Sequence, residues 1–271
     1  MRSPKPLLRD EPHSSKKDFG HLLVFAGSSS MLGASCLVSL AAIRSGAGLV
    51  TCAIPKELNL TLQKKISPVI MTLPFEKYIH IKEKFSYFNS LAIGPGLGRI
   101  ASIGKVVLNL ILDYDHPMVI DADALNFIAV QPNVLQKVKS PKILTPHTGE
   151  MARLTGLSVS CVEKNRRQVA LDFAVEYKCI LILKGHHTIV ADPLGGVYIN
   201  RSGNAGMAKA GMGDVLTGMI GGLLAQGVPA IDASRYGVFW HGKIGDTLAL
   251  KQNRSSFIAT DMIEELKGFM C

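Results

Sequence analysis

The run Gly203-Asn204-Ala205-Gly206-Met207-Ala208-Lys209-Ala210-Gly211-Met212-Gly213-Asp214 sets one carboxylate at the end of a glycine- and alanine-rich stretch, directly before the apolar, helix-forming segment Val215 to Gln226. Small residues let a backbone come close to a ligand, and the unpaired N–H groups and dipole of a helix N-terminus favour an anion. A carboxylate there has chemistry to do if a proton must be accepted beside a phosphate. The alternative is a plain helix N-cap, a role Asp often fills. The density of glycine and alanine ahead of Asp214 favours the phosphate site.

Five other clusters each follow a short apolar run. Gly27-Ser28-Ser29-Ser30 precedes a small-residue segment, Gly33 to Arg44, which reads as a helix suited to an interface or to the core. Gly94-Pro95-Gly96-Leu97-Gly98 permits close backbone approach, yet it matches neither the dinucleotide fingerprint nor the P-loop. Asp121 and Asp123 stand where carboxylates often hold a hydrated magnesium or a ribose, and Asp123 is expected to cap a helix from Ala124 to Val130. In Thr145-Pro146-His147-Thr148-Gly149-Glu150 the proline stiffens the loop and His147 is expected to project into a cleft as a donor. Glu150 there reads as an N-terminal dipole partner or a magnesium contact. Lys184-Gly185-His186-His187-Thr188 offers a cation, a glycine and a hydroxyl to a nucleotide phosphate or ribose. Neighbouring side chains on an extended segment point to opposite faces, which argues against a metal shared by His186 and His187.

The elements that must position these groups alternate. Apolar runs at His21 to Ala26, Leu49 to Ile54, Ser90 to Ile93, Pro117 to Ile120, Lys142 to Leu144 and Ile180 to Leu183 are interleaved with helical segments such as Gly33 to Arg44 and Ile100 to Leu112. That pattern predicts an α/β fold with a mostly parallel sheet covered on both faces. Thr188 to Ala191 and Gly196 to Ile199 flank Asp192-Pro193-Leu194-Gly195 and predict an antiparallel hairpin. Helices are predicted at Asp214 to Gln226, Pro229 to Lys251 and Thr260 to Lys267. Ligands of an open sheet gather outside the carboxyl ends of its strands, so Ser28, Gly96, Asp121, His147, Lys184 and Asp214 are expected on one rim.

With 271 residues, 47% of them hydrophobic, the chain has material for one large domain. No apolar stretch approaches the roughly 18 to 20 residues of a membrane span, and Met1 to Lys17 is polar and proline-containing, without the apolar centre of a signal peptide. A flexible tail over 1–17, a single domain over 18–271 and a cytoplasmic location are therefore expected. The five cysteines have no close pair at metal-ligand spacing, which disfavours a zinc site or a disulfide framework. The net charge of +9 is dispersed and aromatic residues make up 6%, a balance that suits small polyanions rather than nucleic acid.

Asp18-Phe19-Gly20-His21, Arg44-Ser45-Gly46-Ala47-Gly48, Gly94-Pro95-Gly96-Leu97-Gly98, Asp121-Ala122-Asp123-Ala124-Leu125, Thr145-Pro146-His147 and Ala210-Gly211-Met212-Gly213-Asp214-Val215-Leu216-Thr217-Gly218 occur in this order. In them, from about Asp18 to the last helix, the chain resembles the ADP- or ATP-dependent NAD(P)H-hydrate dehydratase family. The resemblance implies a ribokinase-like three-layer α/β/α sandwich. It also implies repair of the S-form hydrate of NADH or NADPH, with ADP favoured and ATP the alternative co-substrate. By resemblance Asp214 is the general base, with backbone N–H groups around Gly211 and Gly213 stabilising the transferred phosphoryl. Ala34, Gly96, His147 and Asp214 contact the hydrate; Lys184, Gly185, His186, His187, Thr188 and Gly213 line the nucleotide. Magnesium bridges the phosphates, held by them and by water, with no protein metal ligand assigned.

The family likeness further implies a homotetramer and a separate epimerase, because too few residues precede Asp18 for an epimerase domain. Thr148 stands where a second proline is usual, His186 and His187 replace smaller residues, and Lys209 replaces a small or hydroxylated one. Two rival readings share these residues: a vitamin-precursor kinase of the same fold, and a non-catalytic nucleotide-binding module, which the presence of Asp214 disfavours.

Overall fold

The computed structural model describes residues 13–268, so most of the tail expected over 1–17 lies outside the described residues, as does Cys271. Nine strands form one sheet: β1 (His21–Phe25), β2 (Leu49–Pro55), β3 (Met71–Phe75), β4 (Ser90–Ile93), β5 (Met118–Ile120), β6 (Lys142–Leu144), β7 (Ile180–Leu183), β8 (Ile189–Ala191) and β9 (Val197–Ile199). Their order is β3-β2-β1-β4-β5-β6-β7-β8-β9. Neighbours from β3 through β7 pair in parallel, whereas β7–β8 and β8–β9 are antiparallel. The predicted hairpin is thus β8–β9, and it extends the main sheet.

The inner strands are apolar on both sides because both sides are covered. In β1, Leu22 and Val24 join the core on one face, with residues of the helices Leu32–Arg44, Met212–Ala225 and Ala230–Lys251. Leu23 and Phe25 join the core on the other face, with the helices Ala101–Asp113, Asp123–Ala129 and Arg166–Glu176. The two-residue period of a strand divides the side chains between the faces. This is the three-layer, ribokinase-like sandwich expected from the sequence. Among the described residues no helix is long and apolar enough to cross a membrane.

The small residues of Leu32–Arg44 serve the core. A Cβ placed on Gly218 would come within 2.3 Å of the Val38 carbonyl oxygen, and one on Gly222 within 2.6 Å of that of Ala42. The two helices therefore lie backbone against backbone, which fixes the Met212–Ala225 helix over the sheet.

The chain order reverses between β1 and β4, the crevice at which ligands bind in open α/β sheets. Gly94 stands just past the end of β4 with φ +127°, and a Cβ there would fall 1.7 Å from the Asp121 carbonyl oxygen. Gly94→Ala is therefore expected to cost about 2–3 kcal/mol through strain and backbone displacement. Urea unfolding checks this: a midpoint equal to that of the parent would contradict the close approach.

β3 goes beyond the sequence expectations. Its Met-Thr-Leu-Pro-Phe run is largely exposed and sits at the sheet edge, where a proline is tolerated and the apolar signal is weak.

Candidate active site

The carboxyl ends of β5, β6 and β7 open into a cavity of about 990 Å³, bounded also by Asn200 to Lys209 and by the start of the Met212–Ala225 helix. Its size suits a cofactor or nucleotide. Asp121, His147, Lys184, Gly185, His186, His187, Thr188, Gly213 and Asp214 all lie on its wall. Ala34 and Gly96 are not part of that wall. They meet one another at the β1–β4 crevice, where a Cβ on Gly96 would stand 2.7 Å from that of Ala34.

The helix begins two residues earlier than predicted. Gly211 adopts φ +85° at the N-cap, a conformation that favours glycine, and Met212 and Gly213 open the first turn. Asp214 is accordingly a first-turn residue and not the cap, with its carboxyl turned to the cavity. Gly211 is not among the residues on the cavity wall, and a Cβ on it would meet Leu37 and Ala259.

Asp123 is also not the cap expected of it. Ala122 holds the N-cap position with φ +50°, and Asp123 starts the helix. Its Oδ2 accepts from the Gly98 N–H at 2.9 Å and its Oδ1 from Asn126 Nδ2 at 3.3 Å, so it clamps the Gly94-to-Gly98 loop.

Asp121 is the second carboxylate of the cavity and is 1% exposed. Lys184 Nζ donates to its Oδ1 at 2.6 Å, and Thr217 Oγ1, on the same helix as Asp214, donates to its Oδ2 at 2.7 Å. Glu150 Oε2 stands 3.9 Å from the same ammonium. Burial opposes the charge on Lys184, but Asp121, Glu150 and Asp214 outweigh it and raise the lysine pKa. The Asp214 carboxyl is pushed up to about 6, first by burial and then by the Asp121 charge, against the pull of Lys184. That value lies close to the range useful to a general base.

His147 caps the Thr148–Thr155 helix. Its Nδ1 accepts from the Gly149 and Glu150 N–H groups at 3.0 and 3.3 Å, while its own backbone N–H donates to Glu150 Oε2 at 2.8 Å. With Nδ1 accepting, Nε2 carries the proton, and it stands 3.4 Å from Glu150 Oε1. Burial, ahead of the opposing Glu150 charge, lowers its pKa and keeps the ring neutral at pH 7.

The turn joining β7 to β8 differs from the extended form expected. His187 has φ +54°, and the rings of His186 and His187 face each other with centroids 3.9 Å apart instead of pointing oppositely. Arg166 holds this turn from below, donating to the Leu183 and Lys184 carbonyls at 3.1 and 3.2 Å and to Thr148 Oγ1 at 3.2 Å. Thr148 in turn donates to Glu163. In place of a stiffening proline, Thr148 thus joins the loop after β6 to the loop after β7.

Lys209 is occupied as well. Its Nζ donates to the Ser255 and Phe257 carbonyls at 2.6 and 2.8 Å, so it ties the glycine-rich loop to the chain leading into the Ala259–Glu265 helix. Asn204 and Asp246 secure the start of the loop: Asn204 Nδ2 donates to the Gly245 carbonyl at 2.8 Å, and the Gly203 N–H to Asp246 Oδ2 at 3.1 Å. Arg166, His241 and Asp246 lie in no motif, Asn204 and Thr217 sit within the glycine-rich run and its helix with no role of their own, and the partners of all five are distant in sequence, which is why sequence reasoning passed over their roles.

Among the described residues no group of three or more His, Cys, Asp or Glu is arranged to hold a metal ion. Both Asp121 oxygens are engaged, and each Glu150 oxygen faces His147, so these donors do not fit a protein-held magnesium.

A half-buried carboxylate at a helix N-terminus, beside an anion-favouring backbone and a fixed ammonium, is equipped to deprotonate a hydroxyl next to a phosphate. A family model described as NAD(P)H-hydrate dehydratase matches residues 22–267. The chain is 39% identical over 269 residues to the bifunctional NAD(P)H-hydrate repair enzyme Nnr of Moorella thermoacetica, covering 96% of this chain and 51% of that protein. It thus spans about half the length of such bifunctional relatives. It is 36% identical over 261 residues to the ADP-dependent (S)-NAD(P)H-hydrate dehydratase of Neisseria meningitidis, covering 92% of this chain and 83% of that one. The crystal structure of the ADP/ATP-dependent NAD(P)H-hydrate dehydratase from Bacillus subtilis, co-crystallized with ATP/Mg2+, superposes with TM-score 0.82 at 30% identity, covering 94% of this chain and 90% of that one. On its fold, the order of its loops and these matches, the chain belongs to the NAD(P)H-hydrate dehydratase family.

Proposed function

We propose that the protein is a nucleotide-dependent (S)-NAD(P)H-hydrate dehydratase, a hydro-lyase that restores NADH or NADPH, within a single domain over 18–271. The observation that carries this reading is the Asp214 carboxyl, half-buried in the first turn of a helix on the wall of a nucleotide-sized cavity, with its pKa raised to about 6.

The hydrate bears a hydroxyl on its reduced ring, and hydroxide is a poor leaving group. Asp214 takes the proton of that hydroxyl as its oxygen attacks the terminal phosphoryl of the nucleotide, which leaves shortened by one phosphate. The Gly213 N–H and its neighbours, at the positive end of the helix, stabilise charge on the moving phosphoryl. The ring C–O bond, now that of a phosphate ester, then breaks with its electrons on phosphate, the adjacent ring carbon gives a proton to water, and the ring double bond reforms. Lys184 balances the carboxylates around this centre through its 2.6 Å contact with Asp121.

His147 and the Ala34–Gly96 crevice suit the hydrate. Lys184 to Thr188 and Gly213 suit the nucleotide. Magnesium belongs to the co-substrate, carried on its phosphates, and no step is assigned to a protein-held ion. ADP as the preferred nucleotide is supported by the name of the Neisseria relative. A homotetramer, a cytoplasmic location and a partner epimerase rest on the family likeness.

Incubation with NADH hydrate and ADP or ATP tests the reading. Recovery of the reduced-nicotinamide absorbance is expected with at least one nucleotide. A stable phosphorylated product in its place would favour a kinase. Because Asp214 must be ionised to act, the rate is expected to fall tenfold per unit below about pH 6. A rate unchanged from pH 8 to pH 5 would contradict Asp214 as the base.

A further inference from the structure

His241 has no part in the steps above, yet it lies on the cavity wall, on the Ala230–Lys251 helix. Its Nε2 is 3.0 Å from the Met212 carbonyl oxygen. A carbonyl only accepts, so Nε2 must carry the proton; burial drives the ring pKa down to about 4, which keeps the imidazole neutral. Nδ1 is then an obligate acceptor, and it has no hydrogen-bond partner among the described residues. The same wall carries the apolar Met207, Leu216 and Val238 and the backbone of Gly242, together with the polar Asn200, Ser202 and Asn204. A fixed acceptor with apolar side chains on the same wall fits a base that presents a donor, and fits poorly a phosphate, whose oxygens set lone pairs against it.

We propose that His241 is the specificity-determining residue for the nucleotide base: its Nδ1 accepts from the exocyclic amine of a 6-aminopurine and disfavours a 6-oxopurine, which sets an acceptor oxygen against the same lone pair. This rests on the nucleotide-dependent reading of the cavity and adds to it the base that the cavity selects. A polar site built for a substrate N–H rejects analogues lacking it, because the buried partner is left unpaired.

Calorimetric titration of the full chain with ADP, inosine diphosphate and the 6-unsubstituted purine riboside diphosphate tests the assignment. The parent protein is expected to bind ADP at least about tenfold more tightly than inosine diphosphate, with the unsubstituted purine between them. His241→Phe removes the acceptor and keeps a ring; it is expected to narrow the ADP preference to less than about threefold. Equal binding of ADP and inosine diphosphate by the parent protein overturns the proposal without any variant, and so does a preference that His241→Phe leaves intact. If the parent protein binds none of the three, the nucleotide reading itself is wrong and the proposal falls with it, a result distinct from non-selective binding.

Discussion

Asp214→Asn is expected to slow nucleotide-dependent hydrate repair by about a hundred-fold to ten-thousand-fold while ADP still binds, since the change removes a positioned base and keeps its shape. The same change is expected to raise the melting temperature at pH 8. The folded protein holds the Asp214 proton up to about pH 6, whereas an unfolded chain releases it near pH 4. Between those values the native state binds more protons than the unfolded one, so stability falls as the pH rises and the buried charge appears. Asparagine carries no such charge. Lost turnover together with gained stability distinguishes a strained functional group from a structural one; a variant with near-normal turnover would refute the assignment.

The second large effect lies at Lys184. Its ammonium is the partner of an Asp121 side chain that is 2% exposed, and Lys184→Met would leave that carboxylate with Thr217 alone. Removing one member of a buried pair costs about 3–5 kcal/mol. The lysine pKa is raised, so its contribution is whole at neutral pH and is lost only when the pH climbs through the folded-state value. Urea unfolding at pH 8 measures the cost, and a loss below about 1 kcal/mol would show that the pair is not the clamp described. Lys184 also holds the Asp214 pKa down, so the acid limb of the rate profile should move above pH 6 in this variant.

The frame was legible wherever one signal had one reading. Runs such as Leu22 to Phe25 and Ile180 to Leu183 are apolar without alternation and are buried on both faces, as a covered parallel sheet requires. Loops following such strands end on one rim by construction, which is how Asp121, His147, Lys184 and Asp214 could be grouped from sequence. What could not be read depends on partners or on backbone angles. Lys184 and Asp121 are 63 positions apart, and Thr217 and Asp121 are 96 apart, so neither bond has a local signature. The start of the Met212–Ala225 helix is set by the left-handed Gly211, which places Asp214 in the first turn and not at the cap. The facing rings of His186 and His187 follow from a positive φ that adjacency does not encode. Thr148 and Lys209, the positions expected to depart from the family pattern, are both tied into the scaffold through Arg166, Glu163 and two backbone carbonyls.

The central claim is that phosphate is added to the hydrate hydroxyl in order to be expelled with its oxygen. Hydrate carrying oxygen-18 in that hydroxyl, turned over once with ADP or ATP, tests it directly by mass spectrometry of the products. The account predicts one oxygen-18 in each inorganic phosphate released and none in water. Unlabelled phosphate with the label in water would mean that hydroxide leaves unaided, and would contradict a phosphorylated intermediate and the role given to Asp214.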